Sequence, residues 1–186
     1  MARHASSCRS ADIPQAALVE ELIDAPSPAE ACARLLDLPY LLLLESSARG
    51  TALSRYSYLT ADPSQVWTSH PADDRDVLRE VAEFLAANRQ DPIAGLPPFQ
   101  GGVAGFLGYE FGRRLERLPA PRADDLALPD AWLGAYDWVI AWDHEQGRAW
   151  VLALDPGLRR GDKRAGDASP LSTSWRGGQG VRTAGP

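Results

Sequence analysis

Along the chain the apolar positions fall into short runs separated by turn chemistry, with few long amphipathic stretches. The run Leu38-Pro39-Tyr40-Leu41-Leu42-Leu43-Leu44 is apolar on both faces and too short for an independent helix. It predicts a central strand over 38–44, buried on both sides, which polar Glu45-Ser46-Ser47 ends. Residues 48–53 form a loop, and Arg55-Tyr56-Ser57-Tyr58-Leu59 predicts a paired strand. That strand stops at Ala61-Asp62-Pro63, because proline has no amide donor. One more strand is expected over 65–69. Two apolar, aromatic runs at 135–142 and 148–154 flank Asp143-His144-Glu145-Gln146-Gly147, whose length and glycine position predict a hairpin.

Helical signals are fewer. Ser27-Pro28-Ala29-Glu30 is a capping box with proline at the first helical position and predicts a helix over 28–37. Over 73–88, Val77, Val81, Phe84 and Leu85 recur at helical spacing behind an acidic first turn, which suits the helix dipole. Strands outnumber helices and do not alternate strictly with them. The expected fold class is therefore α+β: mainly antiparallel sheets with a few flanking helices, as a single domain plus a disordered tail.

Composition sharpens that picture at the ends. The chain has 186 residues, which suits one core. From Pro156 onward it is rich in glycine, arginine and serine and poor in aliphatics. Such a segment cannot bury enough apolar surface to offset backbone ordering, so disorder is expected there. The domain reading is a flexible amino terminus over 1–14, a folded domain over 15–155 and a tail over 156–186.

From Gly157 onward six Lys or Arg stand against two Asp, so the net charge of −6 divides into +4 there and −10 over the rest. An acidic body of that size argues against a nucleic-acid partner. The longest apolar run is far too short to cross a membrane, and the amino terminus lacks the apolar stretch of a secretory signal, so a cytoplasmic location is expected. Cys8 and Cys32 stand apart without metal-ligand or redox spacing and are expected to be inert.

Candidate chemistry is sparse. The segment Gly101-Gly102-Val103-Ala104-Gly105-Phe106-Leu107-Gly108 fits neither dinucleotide nor P-loop spacing, and it reads as a strand passing close to neighbouring backbone or forming a bulge. His4, His70 and His144 have no serine, cysteine or carboxylate at suggestive spacing, so no catalytic residue and no metal ligand is assigned. Trp132, Trp138, Trp142 and Trp150 are expected to fill the core. Glu45 and Ser46 directly follow an apolar run, which fits either a solvated strand end or a binding role.

Whole phrases resemble a known family. Leu43-Leu44-Glu45-Ser46, then Ser54-Arg55-Tyr56-Ser57 with Ala61-Asp62-Pro63, resemble the amino-terminal domain of component I of anthranilate synthase and aminodeoxychorismate synthase. The segment Leu96-Pro97-Pro98-Phe99-Gln100 through Tyr109-Glu110 is similar to that domain's glycine-rich segment. Leu128-Pro129-Asp130 through Asp143-His144 is similar to its closing hairpin, worded closer to the aminodeoxychorismate branch.

The resemblance implies a non-catalytic domain that packs on a chorismate-binding catalytic domain absent from this chain. It implies a tryptophan pocket lined by Leu44, Glu45 and Ser46, with Tyr56 and Ser57 on the neighbouring strand. The glutamate and serine would engage the ligand's ammonium group through charge-assisted hydrogen bonds. No cofactor is implied here, since the family's magnesium lies in the catalytic domain, and a glutamine amidotransferase is the implied second component. The match is expected to stop near Leu154, with an unrelated tail beyond, as a frameshift, truncation or misread gene end would produce. A stand-alone tryptophan-binding module and a poorly folding relic remain as alternatives.

Overall fold

The computed structural model describes residues 17–46, 48, 50–117 and 126–154. The expected flexible amino terminus, the expected disordered tail and Cys8 lie outside them.

Among the described residues eight strands form two antiparallel sheets. The larger has the order β1-β8-β7-β3-β2, from β1 (Ala17–Leu22), β2 (Leu42–Leu44), β3 (Tyr56–Thr60), β7 (Trp138–Asp143) and β8 (Arg148–Leu154). The smaller has the order β4-β6-β5, from β4 (Gln65–Ser69), β5 (Gly102–Leu107) and β6 (Ala131–Tyr136). With two short α-helices beside them among the described residues, α1 (Pro28–Arg34) and α2 (Val77–Ala87), the architecture is α+β, as expected.

The strand buried on both faces is β7, every residue of which is buried. Its first five residues, Trp-Val-Ile-Ala-Trp, are the continuous apolar run that such a position requires. The segment 38–44, expected to take that role, does not. Only Leu42–Leu44 is extended, it lies at the sheet's edge, and Leu44 is exposed. Pro39 brings no amide to a ladder. Tyr40 adopts φ 52°, in the left-handed region, so the chain turns before it can pair.

Two layers of side chains sandwich the larger sheet. On one side Leu22, Leu59, Trp138, Ile140, Trp142 and Val151 pack with Ala31 and Leu35 of the α1 region. On the other, Val139, Ala141, Trp150 and Leu152 pack with Tyr58, Leu96 and Phe99. The helix α1 starts where the capping box predicts: Ser27 Oγ accepts from the Glu30 amide at 3.3 Å, and Glu30 Oε2 accepts from the Ser27 amide at 2.9 Å. It ends at Arg34, three residues earlier than expected.

The helix α2 begins at Val77, because Asp76 caps it through the Arg79 amide and Asp73 instead closes a turn onto the His70 amide. Its buried Val77 and Val81 cover one face of the smaller sheet, with Phe84 edge-on to Trp67 at 5.0 Å.

The run 135–142, expected as one strand, changes sheets at Asp137: β6 ends at Tyr136 in one sheet and β7 starts at Trp138 in the other. Trp138, Trp142 and Trp150 fill the core as expected. Trp132 does not, being only half-buried and stacked with Tyr40 at 5.2 Å. The glycine segment forms edge strand β5. A Cβ on Gly105 would sit 2.1 Å from the Trp132 carbonyl oxygen, so close backbone approach does require glycine there.

Candidate functional site

The edge of the larger sheet at β2 and β3 gathers most of the residues that the sequence singled out. The pairing Leu44↔Tyr58 puts Leu44 on the same face as Tyr58, with Tyr56 two residues away on that face. Ser57 points to the opposite face and is fully buried. The five predicted residues are thus adjacent but divided between two faces. Leu44 and Glu45 are exposed, Ser46 and Tyr56 half-buried.

Ser57 ties this edge together. Its hydroxyl accepts from the Ser46 amide at 3.4 Å and lies 2.7 Å from His144 Nε2. Ser46 Oγ donates to the Tyr56 carbonyl at 3.2 Å. The chain leaving β2 is therefore pinned to β3 by two serines, and β3 is pinned in turn to the β7–β8 turn. Sequence spacing offers His144 no serine partner, but the fold supplies one. Ser57 lies 87 positions away in sequence, and only the antiparallel register of β3 with β7 brings the two together. The full burial of Ser57 leaves it no access to a substrate, so the contact is structural.

Beside it, Arg55 holds Asp143. The Arg55 Nε–H lies 3.1 and 3.0 Å from the two carboxylate oxygens, and Nη2 donates to Oδ2 at 2.6 Å. Asp143 Oδ1 also accepts from the Glu145 and Gln146 amides at 3.0 and 3.1 Å, which closes the hairpin turn. Burial pushes the Asp143 carboxyl upward, but Arg55 and the two amides outweigh it and hold it below the ordinary carboxylate value. The same carboxylate raises the Arg55 guanidinium, which also lies over the Tyr56 ring at 5.0 Å. Arg55 and Asp143 were not singled out from the sequence as a pair, and their separation of 88 positions leaves no local signal.

On the Tyr56 face, Tyr58 meets Phe99 edge-on at 5.6 Å, and burial raises its hydroxyl above the ordinary value, opposed by the Phe99 amide. The outer margin of the site is thus apolar at exposed Leu44, acidic at exposed Glu45 and aromatic at half-buried Tyr56. That combination suits a small ligand carrying an ammonium group and an aromatic body. Among the described residues no three His, Cys, Asp or Glu side chains converge. No helix among them is long and apolar enough to cross a membrane.

The family described as chorismate binding enzyme matches residues 41–171, from β2 through β8, so the match runs past Leu154, where it was expected to stop. Anthranilate synthase component 1 of Mycobacterium tuberculosis (strain ATCC 25618 / H37Rv) is 36% identical over 149 residues, covering 71% of this chain and 29% of that protein. Aminodeoxychorismate synthase component 1 of Escherichia coli (strain K12) is 30% identical over 167 residues, covering 77% of this chain and 36% of its own length. Its counterpart in Salmonella typhimurium is 36% identical over 155 residues, covering 75% of this chain and 34% of that protein. A crystal structure of anthranilate synthase component I from Streptococcus pneumoniae aligns with a TM-score of 0.46 at 20% identity, over 63% of this chain and 28% of that one. The chain spans 29% to 36% of the length of these curated relatives. On the family match over most of its length, the chain belongs to the chorismate binding enzyme family.

Proposed function

We propose that this chain is the amino-terminal, non-catalytic part of an aminodeoxychorismate synthase component I, which serves folate biosynthesis from chorismate. It supports a chorismate-binding catalytic part and carries a tryptophan-binding segment at Leu44, Glu45 and Ser46, with Tyr56 beside Leu44 on the outer face and Ser57, buried on the other face, holding the segment in place. The observation that carries the reading is the pinned strand end: Ser57 and the Tyr56 carbonyl hold Ser46 while Leu44 and Glu45 face outward. Preorganised groups of that kind bind without the cost of ordering a loop. Glu45 would take the amino-acid ammonium group, and Tyr56 would flank the indole.

In this reading the synthase as a whole is cytoplasmic, takes ammonia from a glutamine amidotransferase, and uses magnesium held outside the described residues. The anthranilate synthase relative of Mycobacterium tuberculosis and the aminodeoxychorismate synthase relative of Salmonella typhimurium match at the same 36% identity. A second reading is therefore kept: the tryptophan-binding feedback domain of an anthranilate synthase component I, or a stand-alone tryptophan-binding module.

Incubating the purified chain with chorismate, ammonium and magnesium tests the non-catalytic claim. No aminated product is expected, and product formation that depends on this chain would refute it. Grafting the chain into the complete Escherichia coli and Mycobacterium tuberculosis relatives, in place of the aligned segment, separates the branches. The aminodeoxychorismate reading expects the Escherichia coli graft to retain activity and the other to lose it.

A further inference from the structure

Where the smaller sheet meets the layer that covers it, three polar groups converge without closing on one another. Ser69 ends β4 and is fully buried. It pairs with Ala131 across the ladder and shares a face with Trp67, so its side chain points into the layer of Val77 and Phe111. The Ser69 hydroxyl has no hydrogen-bond partner among the described residues. Arg114 closes the 3-10 helix Tyr109–Arg114, and its guanidinium lies over the Phe111 ring in that layer, 5.8 Å from the centroid. Its buried Nε is likewise without a partner among the described residues. Asp130, 5% exposed, holds Oδ2 3.9 Å from that Nε, too far for a hydrogen bond.

Both ends of this gap are fixed. Arg114 Nη1 donates to the Asp73 and Arg75 carbonyls at 3.0 and 3.1 Å, and Nη2 donates to the His70 carbonyl at 2.7 Å. Three carbonyls of one turn thus hold the guanidinium. On the other side, Asp130 donates its amide to the Ser69 carbonyl at 2.7 Å, and its own carbonyl accepts from the Gly108 amide at 2.6 Å. Bringing Nε and Oδ2 to an ordinary separation of about 2.9 Å requires a shift of roughly 1 Å, which breaks bonds at one end or the other. A guanidinium N–H and a hydroxyl left unpaired in an interior are costly, and buried polar groups of folded proteins are nearly always paired. A polar contact just beyond hydrogen-bonding reach is the usual place for a bridging water.

We propose that one internal water is a fixed ligand of this fold, accepting from Arg114 Nε, donating to Asp130 Oδ2 and sharing a third hydrogen bond with the Ser69 hydroxyl. Three partners suit an internal water. The chemistry selects water over an ion: the Arg114 cation repels a metal ion, and the Asp130 carboxylate repels an anion. A donor on one side and an acceptor on the other require a ligand that can both accept and donate. So placed, the water joins the end of β4, the turn at 70–75, the 3-10 helix and the start of β6 at a single point.

A high-resolution crystal structure of the 186-residue chain, joined to magnetic relaxation dispersion of water oxygen in solution, tests the assignment. The expected density is a single peak about 2.7–3.2 Å from Arg114 Nε, Asp130 Oδ2 and Ser69 Oγ. Ser69→Val suits a strand and replaces the hydroxyl with methyl groups that fill the gap. It should lower the number of long-lived waters by one relative to wild type. Direct contact of Arg114 Nε with Asp130, an empty gap, a peak that reaches only one of the three groups, or an unchanged number of long-lived waters in Ser69→Val overturns the site. Should Ser69→Val fail to fold, the density of the wild-type chain decides by itself.

Discussion

Replacing Ser57 by alanine removes one oxygen from the centre of the pinned edge and opens almost no cavity. The residue is fully buried, so water cannot replace the lost hydroxyl from its own side. Its contact with His144 Nε2 is short at 2.7 Å, whereas that with the Ser46 amide, at 3.4 Å, is near the limit of a hydrogen bond. Leaving a buried partner unsatisfied costs about 1–3 kcal/mol. His144 is half-buried, and water reaching its ring recovers part of that, so the net loss should fall near ~1.4 kcal/mol, the lower half of that range.

For a domain of this size such a loss lowers the melting temperature by roughly 3–6 °C. Because the cost concentrates where β2 leaves the sheet, the Ser46 amide should exchange about tenfold faster, while amides of β7 keep their wild-type ratio to global unfolding. Exchange read by mass spectrometry on peptides spanning 41–46 and 138–143 separates the two. Unchanged exchange at Ser46 alongside a global loss of stability would refute the claim that Ser57 holds this edge.

Two further outcomes follow from the geometry. Gly105→Ala puts a Cβ 2.1 Å from the Trp132 carbonyl oxygen and 2.9 Å from Leu133 Cα. Since both are backbone, β5 must separate from β6, at a cost of about 3 kcal/mol or more in a urea melt. Burial pushes the Tyr136 hydroxyl up to about 12 from an ordinary 10. Its stabilising contribution is therefore complete below pH 10 and lost as pH rises through 12. Tyr136→Phe, lacking the hydrogen bond that the Tyr136 hydroxyl donates to the Tyr40 carbonyl, should be less stable than wild type by about 1 kcal/mol at pH 7, and the gap should close and then reverse between pH 10 and 12 in paired denaturant melts.

Local chemistry was legible in the sequence where it acts within a few residues. The capping box at Ser27 and Glu30 forms as its spacing demands, and the β7–β8 hairpin closes at Gly147 with φ 64°. The helix face of Val77 and Val81 is buried as its period implies. What escaped depends on partners far along the chain. The strand β1, Ala-Leu-Val-Glu-Glu-Leu, carries two adjacent glutamates and gives no clean alternation; it exists because β8 supplies its ladder.

The run 38–44 looked like a core strand by composition, yet the backbone constraints at Pro39 and Tyr40 put it at an edge. The switch of sheets at Asp137 lies inside an unbroken apolar run and has no compositional mark. At the candidate site, Leu44 through Ser46, Tyr56 and Ser57 were named through resemblance. Their division between two faces, and the roles of Arg55, Asp143 and His144, follow from strand register that composition does not encode.

The most direct measurement is a calorimetric titration of the purified chain with L-tryptophan, beside Glu45→Gln. The account predicts saturable heat with a dissociation constant at or below about 1 mM, some −4 kcal/mol of binding free energy, weakened about tenfold or more by Glu45→Gln, which removes the charge facing the ammonium group. Absence of heat and of any thermal shift at millimolar ligand, or equal binding by the variant, would contradict the assignment of Leu44, Glu45 and Ser46 as a tryptophan-binding segment.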